Sequence, residues 1–304
     1  MAVAIPAAPM VANVTASAAQ ASTARASAGP HARHDFGWPA APVVSVTLNQ
    51  NDPFVISPNP LSAGPTTISA STTDGNEHQL AALVFNPGVT PAQAVQEIDE
   101  SYSSDPSVAL PALQAVYRDI TFSGGLSVAP TGPSWFTENL KPNAYQMADT
   151  PEDGAAAQYT TMQVNAPYQP AAWPHFDAVI SVRESDGNAR FVAPNYLPAN
   201  LTFLAVNPKG NSQPYEFLLR QLVPGTTKQD LTAYFAAEEA GQTPTSTVFA
   251  SPYQQGLLPI SPGLAAVVHA NFTPGLYALM SYVRDPATGI GRVYEGTFKI
   301  ITLY

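Results

Sequence analysis

Phe272-Thr-Pro-Gly-Leu-Tyr-Ala-Leu-Met-Ser-Tyr-Val283 decides the fold, because it joins a Pro-Gly turn to a strand with apolar residues for both faces. A second copy stands upstream. In Leu140-Lys-Pro-Asn-Ala-Tyr-Gln-Met-Ala-Asp149, the residues Pro142, Asn143 and Tyr145 lie 132 positions before Pro274, Gly275 and Tyr277. Asn and Gly are the residues most tolerant of positive φ, so the exchange between copies keeps a turn. Working outward, Asn59, Leu61, Ala63 and Thr66 match Asn195, Leu197, Ala199 and Thr202 at an offset of 136. Pro87-Gly-Val-Thr90 matches Pro224-Gly-Thr-Thr227 at 137. Three stretches in one order at nearly constant spacing indicate internal duplication.

The residues between these anchors read as strands and short helices. Val44, Val46 and Leu48 alternate with Ser45, Thr47 and Asn49, the period of a half-buried strand. After the first Pro-Gly, Thr90 is an N-cap with Pro91 at the first helical position, and Ala94, Val95 and Ile98 form the apolar face. A second short helix is expected around residues 111–117. Thr227 and Asp230 make a capping-box start to the matching helix, with Leu231, Tyr234 and Phe235 as its face and Gly241 as its stop. Strands resume at Leu126-Ser-Val128 and Ala265-Ala-Val-Val268. The predicted organisation is an extended Ala/Pro/Ser-rich tail over 1–42, a first β-sandwich over 43–150, a Pro/aromatic linker over 151–173 and a second sandwich over 174–304.

Composition narrows the function classes. Only 11% of residues are charged, against about 25% in typical soluble proteins, while 31 prolines and 19 glycines suit short strands and many loops. Twelve basic residues against 22 acidic ones give a net charge of −10, which argues against phosphate-driven nucleic-acid binding. No window approaches the ~18 uninterrupted apolar residues of a membrane-spanning helix. The absence of cysteine removes disulfides, thiolate metal ligands and cysteine nucleophiles together. In the tail, Ala16-Ser-Ala18 has the form of a signal-peptidase site, but no Lys or Arg precedes it, so flexible tail and signal peptide both stay open.

A strand, a Pro-rich turn, a β-branched strand, a polar turn with His-x-Leu, Pro-Gly-Val-Thr with a helix, and x-Pro-Gly-x-Tyr with a last strand together resemble a bacterial exported cupredoxin-like domain. Asp285-Pro-Ala-Thr-Gly289 is a further echo. The resemblance implies an all-β chain with two cupredoxin-like Greek-key β-sandwich domains in tandem, each with a short helix insertion. It also implies positions for type 1 copper ligands, which are two imidazoles, a thiolate and a weak axial group. The first His position holds His78 in one half and Tyr215 in the other; the Cys position holds Asp149 and Ser281; Arg292 stands nearest to the second His. The expectation is therefore no copper and no other cofactor.

Other chemistry is weakly signalled. His31 and His34 lack a third ligand, and His175 and His269 read as structural. Asp99-Glu100 and Glu238-Glu239 read as solvated helix faces, and Asn13, Asn200 and Asn271 head sequons that matter only in a eukaryotic secretory host. No nucleophile elbow, His-Glu-x-x-His or phosphate-binding glycine loop is present. The leading expectation is a non-catalytic structural or docking protein, an accessory subunit on the extracytoplasmic face of a membrane-bound complex such as a respiratory or photosynthetic electron-transfer assembly. Its protein partners would be met through tail and linker, with Trp38, Tyr168, Trp173 and Phe176 as contact residues. The alternatives are a carbohydrate or small-molecule binding module and a copper electron-transfer protein.

Overall fold

The computed structural model describes residues 38–151 and 157–304. The first half runs β1 (Val43–Leu48), β2 (Leu61–Thr72), β3 (His78–Phe85), α1 (Pro91–Ser101), α2 (Pro106–Asp119), β4 (Ile120–Val128), β5 (Ser134–Leu140), β6 (Asn143–Pro151) and β7 (Gln158–Tyr168). The second runs β8 (Ala178–Ser185), β9 (Asn188–Val192), β10 (Tyr196–Leu197), β11 (Asn200–Val206), β12 (Tyr215–Leu222), α3 (Lys228–Glu239), β13 (Phe249–Ile260), β14 (Ala265–Asn271), β15 (Gly275–Met280) and β16 (Phe298–Leu303). The strands form two facing sheets of a cupredoxin-like β-sandwich. One has the order β1-β2-β5-β14-β11-β8-β9, the other β7-β6-β3-β4-β13-β12-β15-β16-β10.

Strand order repeats between the halves down to the direction of each pair. β1 lies parallel to β2 as β8 does to β11, and β3 sits between β4 and β6 as β12 does between β13 and β15. Residues 61–63 of β2 pair in parallel with β7, and the strand then crosses to the other sheet to meet β5. β10 and β11 make the same crossing, with Leu197 opposite Leu303 on β16. The paired tyrosines show why the opening stretch recurs. The Tyr145 hydroxyl accepts from the Lys141 backbone N–H at 2.9 Å, and the Tyr277 hydroxyl donates to the Thr273 carbonyl at 2.9 Å. Each ties a strand to the turn four residues before it.

The two halves share their sheets. β4 pairs antiparallel with β13 and β5 with β14, so both sheets run unbroken across the molecule. Phe136 faces Val268 and Leu126 faces Leu257. Each of these residues stands opposite its own counterpart, which is the mark of a local two-fold axis. One buried apolar cluster is shared by both halves, holding Ile68, Leu126 and Phe136 together with Phe203, Phe217 and Leu257.

Three details differ from the sequence expectations. Residues 158–168, placed in the linker for their Pro, Ala and Gln content, form β7; Met162 and Val164 are buried while Thr161 and Gln163 face outward. The second helix of the first half, expected as a short one around 111–117, starts earlier and is longer: Asp105 caps a 14-residue α2 that accommodates Pro111. Thr202 corresponds to Thr67 rather than Thr66. The Thr67 and Thr137 hydroxyls share a 2.7 Å hydrogen bond, and Thr202 Oγ1 lies 2.9 Å from His269 Nδ1 at the same place in the second half. The second half thus changes sheets with one residue fewer. The helix starts behave as expected: Thr90 accepts from the Gln93 N–H, and Thr227 forms a reciprocal capping box with Asp230. The tail residues before 38, with the signal-like sequence, His31, His34 and Asn13, lie outside the described residues.

Candidate functional site

The resemblance pointed to one end of each half, and the structure brings those positions together. His78 opens β3 and Asp149 lies near the end of the neighbouring β6; both are fully buried. His78 Nδ1 sits 2.9 Å from both Asp149 carboxylate oxygens, and Nε2 sits 3.0 Å from Asp74 Oδ2. Two carboxylates on the two ring nitrogens require both nitrogens to donate, which is the imidazolium form. Burial pushes His78 down, but the hydrogen bonds and charges of Asp149 and Asp74 more than offset it and hold the ring above its ordinary value. Asp74 is driven well below the usual carboxylate range. Its desolvation is outweighed by the backbone N–H groups of Gln50 (2.7 Å) and Asn76 (3.0 Å), the Thr72 hydroxyl (2.8 Å) and His78.

The second half closes the same positions differently. The Tyr215 hydroxyl donates to Glu184 Oε1 at 2.7 Å, and burial with the Glu184 bond raises it far above the ordinary tyrosine value. Ser281 Oγ accepts from the Glu216 N–H at 3.2 Å. Arg292, nearly buried, pairs with Asp285 and Glu295 at 2.9 Å each and donates to Gln213 Oε1 at 2.8 and 3.1 Å. Neither donor set fits type 1 copper. No thiolate exists in the chain, the lone imidazole has both nitrogens engaged by carboxylates, and the other half offers a phenol, a hydroxyl and a guanidinium. Among the described residues, no group of three or more His, Cys, Asp or Glu is placed to hold a metal ion.

The aromatic residues singled out from the sequence lie along the chain that enters β1 and leaves β7. Ala40 bridges Ala172 in parallel, with the Ala172 N–H donating to the Pro39 carbonyl at 2.8 Å. This pairing places Trp38 and Trp173 on adjoining backbone. Tyr168, opposite Ala63 at the end of β7, lies four residues before Ala172. Trp38 is 53% exposed, Tyr168 56% and Trp173 38%. Phe176 lies beyond the pairing, half-buried, stacked on His175 with ring centroids 6.5 Å apart. Sequence reasoning counted Tyr159 as a linker aromatic but not as a contact residue, and it is exposed on β7. The alternation of Met162 and Val164 with polar residues would have assigned it to the outer face. It also passed over Tyr196 and Tyr304, each 70% exposed at the far end of the other half.

His269 stacks on Trp135 at 5.0 Å where β5 meets β14, and burial lowers its pKa. No helix among the described residues is long and apolar enough to cross a membrane. No protein-family model matches the chain, and no curated protein matches it. Among solved structures it is similar to auracyanin B at 16% identity, over 44% of this chain and 93% of that one, with a TM-score of 0.25. A multicopper oxidase is 9% identical over 86% of this chain and 88% of its own, with a TM-score of 0.23. The copper nitrite reductase from Nitrosomonas europaea is 10% identical over 87% and 94%, with a TM-score of 0.22. Likeness at this level says nothing about activity, and the fold stands on the strand pairing itself.

Proposed function

We propose that this chain is a non-catalytic docking protein whose strip of Trp38, Tyr168 and Trp173 receives a protein partner. The observation that carries the reading is the exposure of these three large side chains, two of them the bulkiest type in the chain, along the stretches that enter β1 and leave β7 and are joined by the Ala40–Ala172 bridge. Aromatic side chains of this kind anchor interfaces because they bury much area and freeze few rotors. The closed clusters at His78 and Arg292 support the same reading, since the residues there are committed to holding strands and loops together. In the fuller form of the proposal, the chain is an extracytoplasmic accessory subunit of a membrane-bound electron-transfer assembly.

The test is co-purification in mild detergent from the native host. A single chain carrying Trp38→Ser, Tyr168→Ser and Trp173→Ser should keep its thermal melting temperature but lose the partners that the wild type retains. Truncating an interface anchor costs about 2 kcal/mol or more, roughly thirtyfold in affinity for each. Unchanged recovery of the same partners would refute the assignment of the strip.

A further inference from the structure

β9 pairs with β8 over five residues, where the first half makes only a single bridge between Ser45 and Ser57. The fuller strand sets Arg190 directly opposite Arg183. Residues two apart along a strand share a face, so Val179 and Arg183 of β8 stand on the same outer face as Arg190 and Val192 of β9, while Ile180, Val182 and Phe191 point into the core. Both arginines are exposed, and Val179 and Val192 are 48% and 50% exposed. Leu204 and Val206, half-buried on the adjoining β11, extend the apolar ground. α1 and α2 pack on β3, and α3 on β12, β15 and β16, all in the other sheet, so no helix covers this face. Like charges directly opposite each other on a sheet destabilise it. Nothing within the chain relieves this pair: among the described residues no ion pair or hydrogen bond engages either guanidinium. The carboxylates beside them in sequence are committed elsewhere, Glu184 accepting from the Tyr215 hydroxyl and the Ser212 N–H, and Asp186 from the Ser185 hydroxyl. In a chain with 12 basic residues against 22 acidic ones, two free guanidiniums held side by side call for an anion from outside.

We propose that the outer face of the β8–β9 hairpin docks an acidic, apolar segment of a protein partner, with carboxylates on Arg183 and Arg190 and aliphatic side chains on Val179 and Val192. The guanidinium fork matches a carboxylate bidentately, and the valines favour a ligand that carries alkyl groups beside its charges. The segment lies on the face and does not add a strand, because Arg292 and Thr297 already donate to the carbonyls of Gly187 and Ala189 where β9 begins. A net charge of −10 disfavours an anionic bilayer or a polyanion as the occupant. The hairpin stands at the opposite end of its sheet from β1, beside which the aromatic strip lies, so either docking assignment can fail alone.

NMR titration of the full chain with acetyl-Glu-Val-Glu-Val-Glu-amide, and with the neutral analogue in which Gln replaces each Glu, tests the proposal. The acidic peptide should bind saturably and shift the backbone signals of Val179, Arg183, Arg190 and Val192, and the neutral analogue should bind at least about tenfold more weakly. Arg183→Gln and Arg190→Gln should each weaken the acidic peptide by about three- to fivefold, the range of an exposed ion pair, while Lys228→Gln on α3 should leave it unchanged. Both arginine variants should melt no lower than the wild type, since each removes a like-charge contact. No saturable binding, equal binding of the neutral peptide, unchanged affinity or lowered melting in the arginine variants, or sedimentation with phosphatidylserine vesicles that those variants abolish would overturn the assignment.

Discussion

Replacing Glu138 by Gln should change how stability depends on pH more than any other single substitution in the core. Glu138 lies on β5 near the local two-fold axis and is 5% exposed. The Ser123 hydroxyl donates to its Oε2 at 2.5 Å, and Oε1 faces no hydrogen-bond partner. Burial pushes the carboxyl up to about 8 from its ordinary 4.5, against the smaller opposing pull of the Ser123 bond. Between those two values the folded chain holds a proton that the unfolded chain has released. Stability is therefore highest below the unfolded value, falls as pH rises toward the folded value, and levels off above it. The fall is about 1.4 kcal/mol per pH unit, so from pH 5 to pH 8 this one group removes up to about 4 kcal/mol. In Glu138→Gln the amide keeps an oxygen for Ser123 and cannot ionise. Urea unfolding of both proteins at pH 5, 6.5 and 8 isolates the effect as a difference of differences. The variant should gain on the wild type with rising pH, and parallel pH curves would refute the account of a neutral buried carboxyl.

Two further perturbations follow from the same core. His78→Gln should destabilise by about 3 to 5 kcal/mol, because it leaves Asp74 and Asp149 facing each other without the cation between them. Since His78 is raised above 6.5, its stabilisation is fully present below that value and is lost as pH climbs through the folded value; ring-proton NMR that shows ordinary histidine titration would contradict this. Gly125→Ala and Gly256→Ala should each cost about 3 kcal/mol or more, since an added Cβ falls 2.2 Å from the carbonyl oxygen of Leu80 or Phe217 at φ of +144° or +138°. Thermal melting beside Gly132→Ala, where a Cβ meets nothing within 4 Å, separates the clash from the backbone strain.

Much of the architecture was legible because the duplicated turns carry the residues that define them. Tyr145 and Tyr277 repeat since each hydroxyl ties its own turn, and Thr90 and Thr227 repeat since each caps a helix. The sharing of sheets was not legible. Pairing of β4 with β13 and β5 with β14 rests on backbone hydrogen bonds that carry no side-chain signature. Gly125 and Gly256 are corresponding glycines, yet their strands, Ser123-Gly-Gly-Leu126 and Gln254-Gln-Gly-Leu257, share little else and gave no motif. β7 was hidden by Tyr, Gln and Thr on its outer face, with only Met162 and Val164 marking the inner one. The ligand-equivalent positions were found through His78 and Asp149. The partner that completes their cluster, Asp74, is a turn residue whose role appears only once the fold places it.

The central claim is that on this cupredoxin-like sandwich His78, Asp74 and Asp149 form a hydrogen-bonded structural cluster that takes up no copper. Incubation with excess Cu(II) and with Cu(I) under reducing conditions, followed by exhaustive dialysis, metal analysis and visible spectroscopy, tests it most directly. The account predicts less than about 0.1 copper per chain and no intense visible band, since no thiolate is present to generate one. Stoichiometric copper that His78→Gln abolishes would contradict it.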